Sequence, residues 1–422
     1  MRPKTTMKEN TFTHIFPCGV RFAFKRTKSQ VAYSALSIKS GTRNEQSDLS
    51  GIAHLTEHML FKGTLKRTPQ EITDRLEKLG GDLNAYTTKE ETVLYATVLK
   101  EDASKAVDLL FELAFTSTFP QEELDKERHV VIDEINMYKD SPSECIFDNF
   151  EELLFEGHEL SRQILGDARS LRKINSSDLK RYVSENFKPE RMCISIVADI
   201  TPQRALKLAE NAIASYIPAE YAPKAETGHP ATSGRKPSEV HFTKEIVKKN
   251  HQVNCIVGTT ACSFYDEERM TLILLNNILG GPSSNSRLNQ ALREKNALVY
   301  SVDSSYGQFT DSGSVMIYFG CDKGNLEECL SLVHSEIARL RDKPLSASML
   351  KAAKKQLLGQ LAIASDNGES QALSIGKSML VFGGVMPDEE VRSKINSITA
   401  EQLQLTAQKI LAENRLSTLV YK

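Results

Sequence analysis

The chain has 422 residues, with 53 Lys and Arg against 55 Asp and Glu, a net charge of −2, and 40% hydrophobic and 26% charged residues. That length holds two or more cores of ordinary size, and the composition is that of a soluble globular protein. No basic surplus points to nucleic acid, and no apolar run is long enough to span a bilayer.

The seven cysteines are scattered and form no Cys-x-x-Cys pair, so they read as free thiols of a reducing compartment. The first twenty residues show no apolar core of a signal peptide. A cytoplasmic protein is the expectation.

In chain order, strands are expected near 12–25 and 31–39. The stretch GIAHLTEHMLFKGT, residues 51–64, follows as a helix capped by Asp48 or Ser50 and running to about Leu60, with Gly63 near its end. Leu49, Ile52, Ala53, Leu55, Met59 and Leu60 cover one broad face of it. His54, Glu57 and His58 share the opposite face, within an arc of about 100°. Their placement opposite the apolar stripe argues against core histidines.

A solvated polar face competes there with a metal site. His-x-x-Glu-His sets two imidazoles one turn apart, where both reach one cation, with a carboxylate between them that can hold a water. It is the reversed form of the His-Glu-x-x-His zinc string. The metal reading is the stronger of the two.

Thr68-Pro69 with Glu71 opens a second helix, ended by Gly80-Gly81. DLNAYTT and ETVLYATVL read as two strands around a Lys-Glu turn. Helices are expected at about 102–115, 121–138, 143–155 and 170–186, then a strand at 191–199 and a helix over TPQRALKLAENAIASY. Residues 218–237, rich in Pro, Gly, Ala and Ser, read as a linker between a first domain, 1–217, and a second, 238–422.

The second half repeats the order of the first. Strands are expected near 238–245 and 251–259, helices at 266–279 and 285–296, and strands at 298–305 and 313–320. Helices from about Asn325 to Glu413 and the strand LSTLVY complete it. GNLEECLSLVHSEIARL matches EDASKAVDLLFELAF in place and pattern. The fold class is therefore α+β: two homologous domains in tandem, each an antiparallel-rich sheet packed with helices. Placing HLTEHMLFKG over LILLNNILGG sets Leu272, Leu275 and Asn276 opposite His54, Glu57 and His58. The second copy keeps the scaffold without the ligands, so one metal per chain is expected.

A catalytic zinc takes three protein ligands and leaves a fourth position open. The helix containing KERHVVIDEINMY offers Glu127 and Glu134, seven residues and two turns apart on one face. His129 points about 140° away from Glu134 and reads as a surface histidine. Periodicity does not choose between the two glutamates. A purely structural zinc site fits poorly, because such sites prefer four ligands, usually with cysteine.

DLNAYTT serves equally as an ordinary sheet-edge strand or as one to which an extended peptide adds. Arg293 reads as a helix-surface charge and Tyr300 as a strand-core aromatic. The Gly-Gly-Pro-Ser-Ser run at 280–284 lacks the Gly-Lys-Ser/Thr of a phosphate loop and reads as a turn between helices.

With these residues in place, the chain resembles the insulinase/pitrilysin family of zinc peptidases, in the half-length branch with the mitochondrial processing peptidases and their bacterial relatives. The family's motif is His-x-x-Glu-His followed about 76 residues on by a glutamate, and here 134 − 58 = 76. SGTRNEQSDLSGIAH, LGGDLNAYTTKEETVLY, GHELSRQILGD and LREKNALVYSV are also family-like, and the match runs from about residue 12 to the end of the chain. GHEL at 157–160 departs from relatives that carry Pro after the His.

The resemblance implies a zinc endopeptidase acting on extended peptides or unstructured protein segments, with one Zn²⁺ per chain. It assigns His54, His58 and Glu134 as ligands and Glu127 as a second acid that orients the site. Glu57 is then the base that takes a proton from the zinc-activated water and passes it to the leaving amine. Asn84 and Ala85 are implicated in strand pairing with substrate, and Arg293 and Tyr300 in hydrogen bonds to it.

The alternative is a non-catalytic scaffold or partner subunit. Such subunits tend to lose the ligands or the base, and this chain has all four residues. Because the metal set and the Arg…Tyr pair occur in one chain, a homodimer is expected, with a heterodimer possible.

Overall fold

The computed structural model describes residues 6–8, 11–224, 237–248 and 251–422. Of the expected linker, residues 225–236 lie outside the described residues. The chain divides into two compact units, and the division does not follow the two halves of the sequence alone. Unit one comprises residues 1–136, 162–228 and 363–387, and unit two comprises residues 137–161, 229–362 and 388–422.

The first unit is built on strands β1 (Thr6–Lys8), β2 (Thr11–Ile15), β3 (Arg21–Arg26), β4 (Val31–Ile38), β5 (Asp82–Thr87), β6 (Thr92–Leu99) and β7 (Met192–Ala198). They form one sheet in the order β1-β2-β3-β7-β4-β6-β5, antiparallel except for the β3–β7 pair. Its helices are α1 (Ile52–Leu60), α2 (Pro69–Glu77), α3 (Ala103–Thr116), α4 (Gln121–Lys139, which runs on into the second unit), α6 (Ala168–Leu171), α7 (Ser176–Asn186) and α8 (Pro202–Tyr216). The helix α5 (Pro142–Leu154) belongs to the second unit.

Helix α2 starts on a capping box, in which the Thr68 and Glu71 side chains each take the other's backbone amide, with Pro69 at its first turn. Where one helix is expected over 170–186, two occur. The Asn175 side chain accepts the amides of Ser177 and Asp178 and restarts the helix, so the chain breaks between α6 and α7.

The second unit's sheet runs β10-β11-β9-β12-β8, from strands β8 (Thr243–Ile246), β9 (Val253–Ala261), β10 (Val299–Gln308), β11 (Gly313–Cys321) and β12 (Ser417–Tyr421). Only β12–β8 is parallel. Read from the edges, β5-β6-β4-β7-β3 and β10-β11-β9-β12-β8 have the same order and the same single parallel pair, which is the duplication expected. Helices α9 (Arg269–Gly280), α10 (Leu326–Asp342), α11 (Ala347–Ala364), α13 (Asp388–Ser397) and α14 (Ala400–Ile410) go with it. The helix expected at 285–296 is π-helical over Asn289–Glu294.

Helix α12 (Gly368–Phe382) belongs to the first unit, although it lies late in the chain. It packs on β3, β4 and β7, with Ala372, Ile375, Met379 and Leu380 against Ala23, Cys193 and Val197. The opposite face of the sheet holds the main core, with Phe22, Phe24, Leu36, Ile194 and Ile196. Small residues let α12 approach closely. A Cβ on Gly376 would stand 2.9 Å from Ser37 Oγ and 3.0 Å from Ser195 Oγ, and Ser195 Oγ donates to Ala372 O at 2.7 Å.

All seven cysteines are free and buried. Among the described residues, no helix is long and apolar enough to cross a membrane.

The loop before α6 is clamped to the start of α1 through two glycines. Gly51 has φ +88° and Gly166 φ +68°, and a Cβ on Gly166 would stand 2.5 Å from Gly51 Cα and N. Gly166→Ala is therefore expected to cost more than about 2 kcal/mol, from left-handed backbone strain plus the clash. Gly157, at φ +76° with nothing near its added Cβ, isolates the strain alone, and Gly157→Ala is expected to cost about 1 kcal/mol. Urea unfolding of both variants checks the ranking.

Candidate metal centre

Helix α1 is enclosed along nearly its whole length, with Ile52, Ala53, Leu55, Met59 and Leu60 in the core as the apolar stripe predicts. The opposite face is enclosed too. His54 and Glu57 are each 8% exposed, so this is no solvated polar face. The expected cap at Asp48 or Ser50 is also corrected. The helix starts at Gly51 with no side-chain cap from either residue, and Glu45 reaches in from six residues upstream. Both Glu45 carboxylate oxygens accept from Gly51 N at 3.1 Å, and Oε1 also accepts from Ala53 N at 3.0 Å. Its oxygens satisfy first-turn amides that have no partner within the helix. The Glu45 loop is held in turn by Arg162, whose Nη1 donates to the carbonyls of Thr42, Arg43 and Glu45 at 3.3, 3.0 and 2.6 Å.

Helix α4 brings the two candidate acids to opposite sides of His58. Glu134 Oε2 lies 3.8 Å from His54 Nε2 and 3.7 Å from His58 Nε2. Ligand atoms of His54, His58 and Glu134 all lie within 4.8 Å of one another. Glu127 instead meets the far side of the ring, its Oε1 2.9 Å from His58 Nδ1, while its Oε2 pairs with Lys62 Nζ at 2.7 Å. Glu134 thus faces both Nε2 atoms, and Glu127 meets His58 from behind. His129 is exposed on the helix surface, its Nδ1 2.7 Å from Asp125 O.

Glu57 lies on the same face of α1. Thr87 Oγ1, at the end of β5, donates to its Oε2 at 2.5 Å. Burial raises the Glu57 pKa, with Glu134 adding to the rise, against the Thr87 hydrogen bond and His58. Burial and the neighbouring His58 hold the His54 pKa down at about 4, which keeps its ring neutral. Burial lowers His58 as well, but the Glu127 hydrogen bond and the carboxylates of Glu57, Glu127 and Glu134 outweigh it, and its pKa is raised. Burial raises Glu127, and the hydrogen bonds from His58 and Lys62 more than reverse this.

The residues fit a zinc ion. Two tetrahedral ligand atoms about 2.0–2.1 Å from a common centre stand about 3.4 Å apart, close to the two Nε2–Oε2 separations. These separations are too long for hydrogen bonds. The set is two imidazoles and a carboxylate with no cysteine, which is a catalytic rather than a structural donor set, and the Glu134 side chain is 44% exposed, leaving one side open. His54 Nδ1 is buried and has no hydrogen-bond partner among the described residues.

The other expected site residues are distributed as follows. Asn84 is exposed and Ala85 half-buried on β5, which is an edge of the first sheet. The Ala85 amide donates to the Asn84 side-chain oxygen at 2.9 Å. Arg293 lies in the second unit's π-helical turn, its side chain 51% exposed and 3.8 Å from Glu294. Tyr300 is 88% exposed, so the strand-core reading is overturned. The β10–β11 register shifts between Val299 and Val302, and this bulge turns the tyrosine out.

Sequence reasoning missed Glu45, Thr87, Lys62 and Arg162. Lys62 alone carried a local signal, one turn beyond His58 on the same face.

Burial pushes the Glu45 pKa up to about 8, against the amides of Ala53 and Gly51 and the Arg162 charge. The fold thus favours the protonated acid. The stability this contributes is complete below about pH 4.5 and is lost as pH rises through about 8. Glu45→Gln removes that titration, so its stability relative to the parent is expected to rise from about pH 5 to pH 8. Glu45→Ala leaves the amides of Gly51 and Ala53 without an acceptor and is expected to lose about 1–2 kcal/mol. Urea midpoints across the pH range check both.

Residues 21–168 match the family described as insulinase (peptidase family M16), and residues 173–357 match the peptidase M16 inactive domain. The uncharacterized zinc protease YmxG of Bacillus subtilis (strain 168) is 33% identical over 384 residues, covering 91% of each chain. The uncharacterized zinc protease SCO5738 of Streptomyces coelicolor is 29% identical over 371 residues, 88% of this chain and 80% of that one. Two crystal structures share the fold. That of a peptidase M16 inactive domain from Pseudomonas fluorescens has a TM-score of 0.87 at 22% identity, over 98% of both chains. That of a protease from Helicobacter pylori has a TM-score of 0.87 at 19% identity, over 100% of this chain and 99% of that one. With the fold, the tandem units and these relatives in agreement, the chain belongs to the insulinase family, peptidase family M16.

Proposed function

We propose that the chain is a zinc-dependent endopeptidase that hydrolyses extended peptides or unstructured protein segments. One observation carries the reading: His54, His58 and Glu134 converge within 4.8 Å, beside a buried glutamate that none of them uses. The naming of relatives as zinc proteases supports it.

His54, His58 and Glu134 hold the ion, one per chain, since Leu272, Leu275 and Asn276 stand at the matching places of the second unit. Zinc there supplies Lewis acidity toward a water and a peptide carbonyl oxygen. Glu127 keeps the His58 ring turned so that Nε2 faces inward. Thr87 engages one oxygen of Glu57, which leaves the other to take a proton from water and return it to the leaving amine. The raised pKa of Glu57 suits both transfers.

An extended substrate adds to β5, where it displaces the Asn84 side chain from the Ala85 amide. Arg293 and Tyr300 supply hydrogen bonds to it. The compartment is the cytoplasm.

The rival reading, a non-catalytic scaffold, draws on the second match, to a domain described as inactive. Incubation with an unstructured peptide library, with and without 1,10-phenanthroline, decides between them. Chelator-sensitive cleavage supports the peptidase, and absence of cleavage supports the scaffold.

Three substitutions test the roles on one preparation, by metal analysis and peptide cleavage together. Glu57→Gln is expected to keep its zinc and lose about 10²–10⁴-fold in rate. Glu134→Gln is expected to lose most of its zinc, and Glu127→Gln to bind it about 10–100-fold more weakly. Cleavage near the parent rate by Glu57→Gln removes it as the base, and the reverse order of zinc content exchanges the two acids.

The active form is a symmetric homodimer in which each copy supplies Arg293 and Tyr300 to the other's metal centre. Mixing Glu57→Gln protein with Arg293→Ala/Tyr300→Phe protein under subunit exchange is then expected to restore activity. No recovery after proven exchange means that each site is built otherwise.

A further inference from the structure

The second unit has a cleft of about 730 Å³ between α11 and α13 that the peptidase reading leaves unused. Its size is that of a ligand site. Leu350, Leu358 and Ala362 give it an apolar floor, and its charged lining is Lys351, Lys354, Lys355 and Arg392, four cations with no acid. In a chain of net charge −2 this is a local reversal of sign. Helix α11 has no acidic residue in its 18 positions, and Leu357 is its single buried side chain.

Lys351, Lys355 and Arg392 make no hydrogen bond or ion pair among the described residues. Lys354 Nζ donates to Asn396 O at 2.7 Å, and burial lowers its pKa, so an anion beside it would offset a desolvation already present. Of the acids at the start of α13, Glu390 is paired with Lys394 at 3.2 Å, and none of them lines the cleft. Three unpaired cations set beside an apolar floor call for a ligand with several carboxylates and apolar groups between them. One small anion cannot meet cations on two helices and also cover the floor. A concave cleft does not fit a flat bilayer.

We propose that the α11–α13 cleft binds an acidic segment of another polypeptide, its carboxylates on the four cations and its apolar side chains on the floor. Affinity comes from burial of the apolar groups, while the exposed ion pairs give selectivity and a dependence on salt.

The test uses the full chain and a fluorescein-labelled octapeptide of alternating Glu and Leu, read by anisotropy, with 1,10-phenanthroline present so that the probe stays whole. Saturable binding is expected, weakening with salt and about tenfold or more weaker in Lys351→Glu/Lys355→Glu/Arg392→Glu protein whose urea midpoint matches the parent's. The milder Lys351→Gln/Lys355→Gln variant is expected to weaken binding about threefold. Leu350→Ser is expected to weaken it at every salt concentration. Equal binding by parent and charge-reversed protein overturns the proposal, as does equal binding of a Gln/Leu octapeptide. Binding of phosphatidylserine vesicles in place of the peptide overturns it in favour of a membrane, and self-association lost in the charge-reversed variant overturns it in favour of a second copy.

Discussion

The nine residues of α1 are enclosed almost entirely, and a helix so enclosed needs an answer elsewhere in the fold for its polar groups. Three separate segments, the loop at Glu45, β5 and α4, provide those answers. Glu45 takes first-turn amides, Thr87 takes Glu57, Glu127 takes the back of His58, and Glu134 stands before both imidazoles. Each contact fixes a side chain that would sample several rotamers on an open helix. The local order of the candidate metal centre thus follows from burial, and burial follows from the sheet and helices closed around α1. His54 Nδ1 is the exception, buried without a partner among the described residues.

Much of this could be read from the residues alone. The His-bearing helix, the Thr68–Glu71 capping box and the run of strands and helices around them are local patterns, and local patterns survive folding. The grouping of His54, Glu57 and His58 on one face also needed only helical periodicity. What could not be read was what lies across from that face. A polar stripe in solvent and a polar stripe lining a site have the same sequence, and only the closure of β5 and α4 over α1 separates them. Glu45 acts across a turn with no period, and Tyr300 is turned outward by a one-residue bulge that strand alternation cannot foresee. Glu127 and Glu134 share one face of their helix, and only the packing of α4 against α1 sets one before the imidazoles and the other behind His58.

The second unit shows what the same scaffold does without ligands. Asn276, matching His58, donates from Nδ2 to Ser304 O at 2.8 Å and accepts from Ser304 Oγ at 2.5 Å, binding α9 to the edge strand β10. In the first unit the corresponding helix and edge strand, α1 and β5, are joined by Thr87 and Glu57. The contact between helix and edge strand is common to both, and its chemistry differs. Leu272 and Leu275 are buried where His54 and Glu57 stand, so the second copy fills with core what the first gives to polar side chains.

The late position of α12 bears on how the chain is made. The sheet face formed by Ala23, Cys193 and Val197 is complete once β7 has left the ribosome, but the helix that covers it ends at Phe382. At about 5–20 residues per second, the intervening synthesis leaves that face bare for roughly 10–40 s. Through that interval the nascent chain carries an uncovered apolar sheet surface of the kind that chaperones hold and aggregates recruit. The unit bearing the candidate metal centre, though encoded mostly first, is among the last parts of the molecule to close.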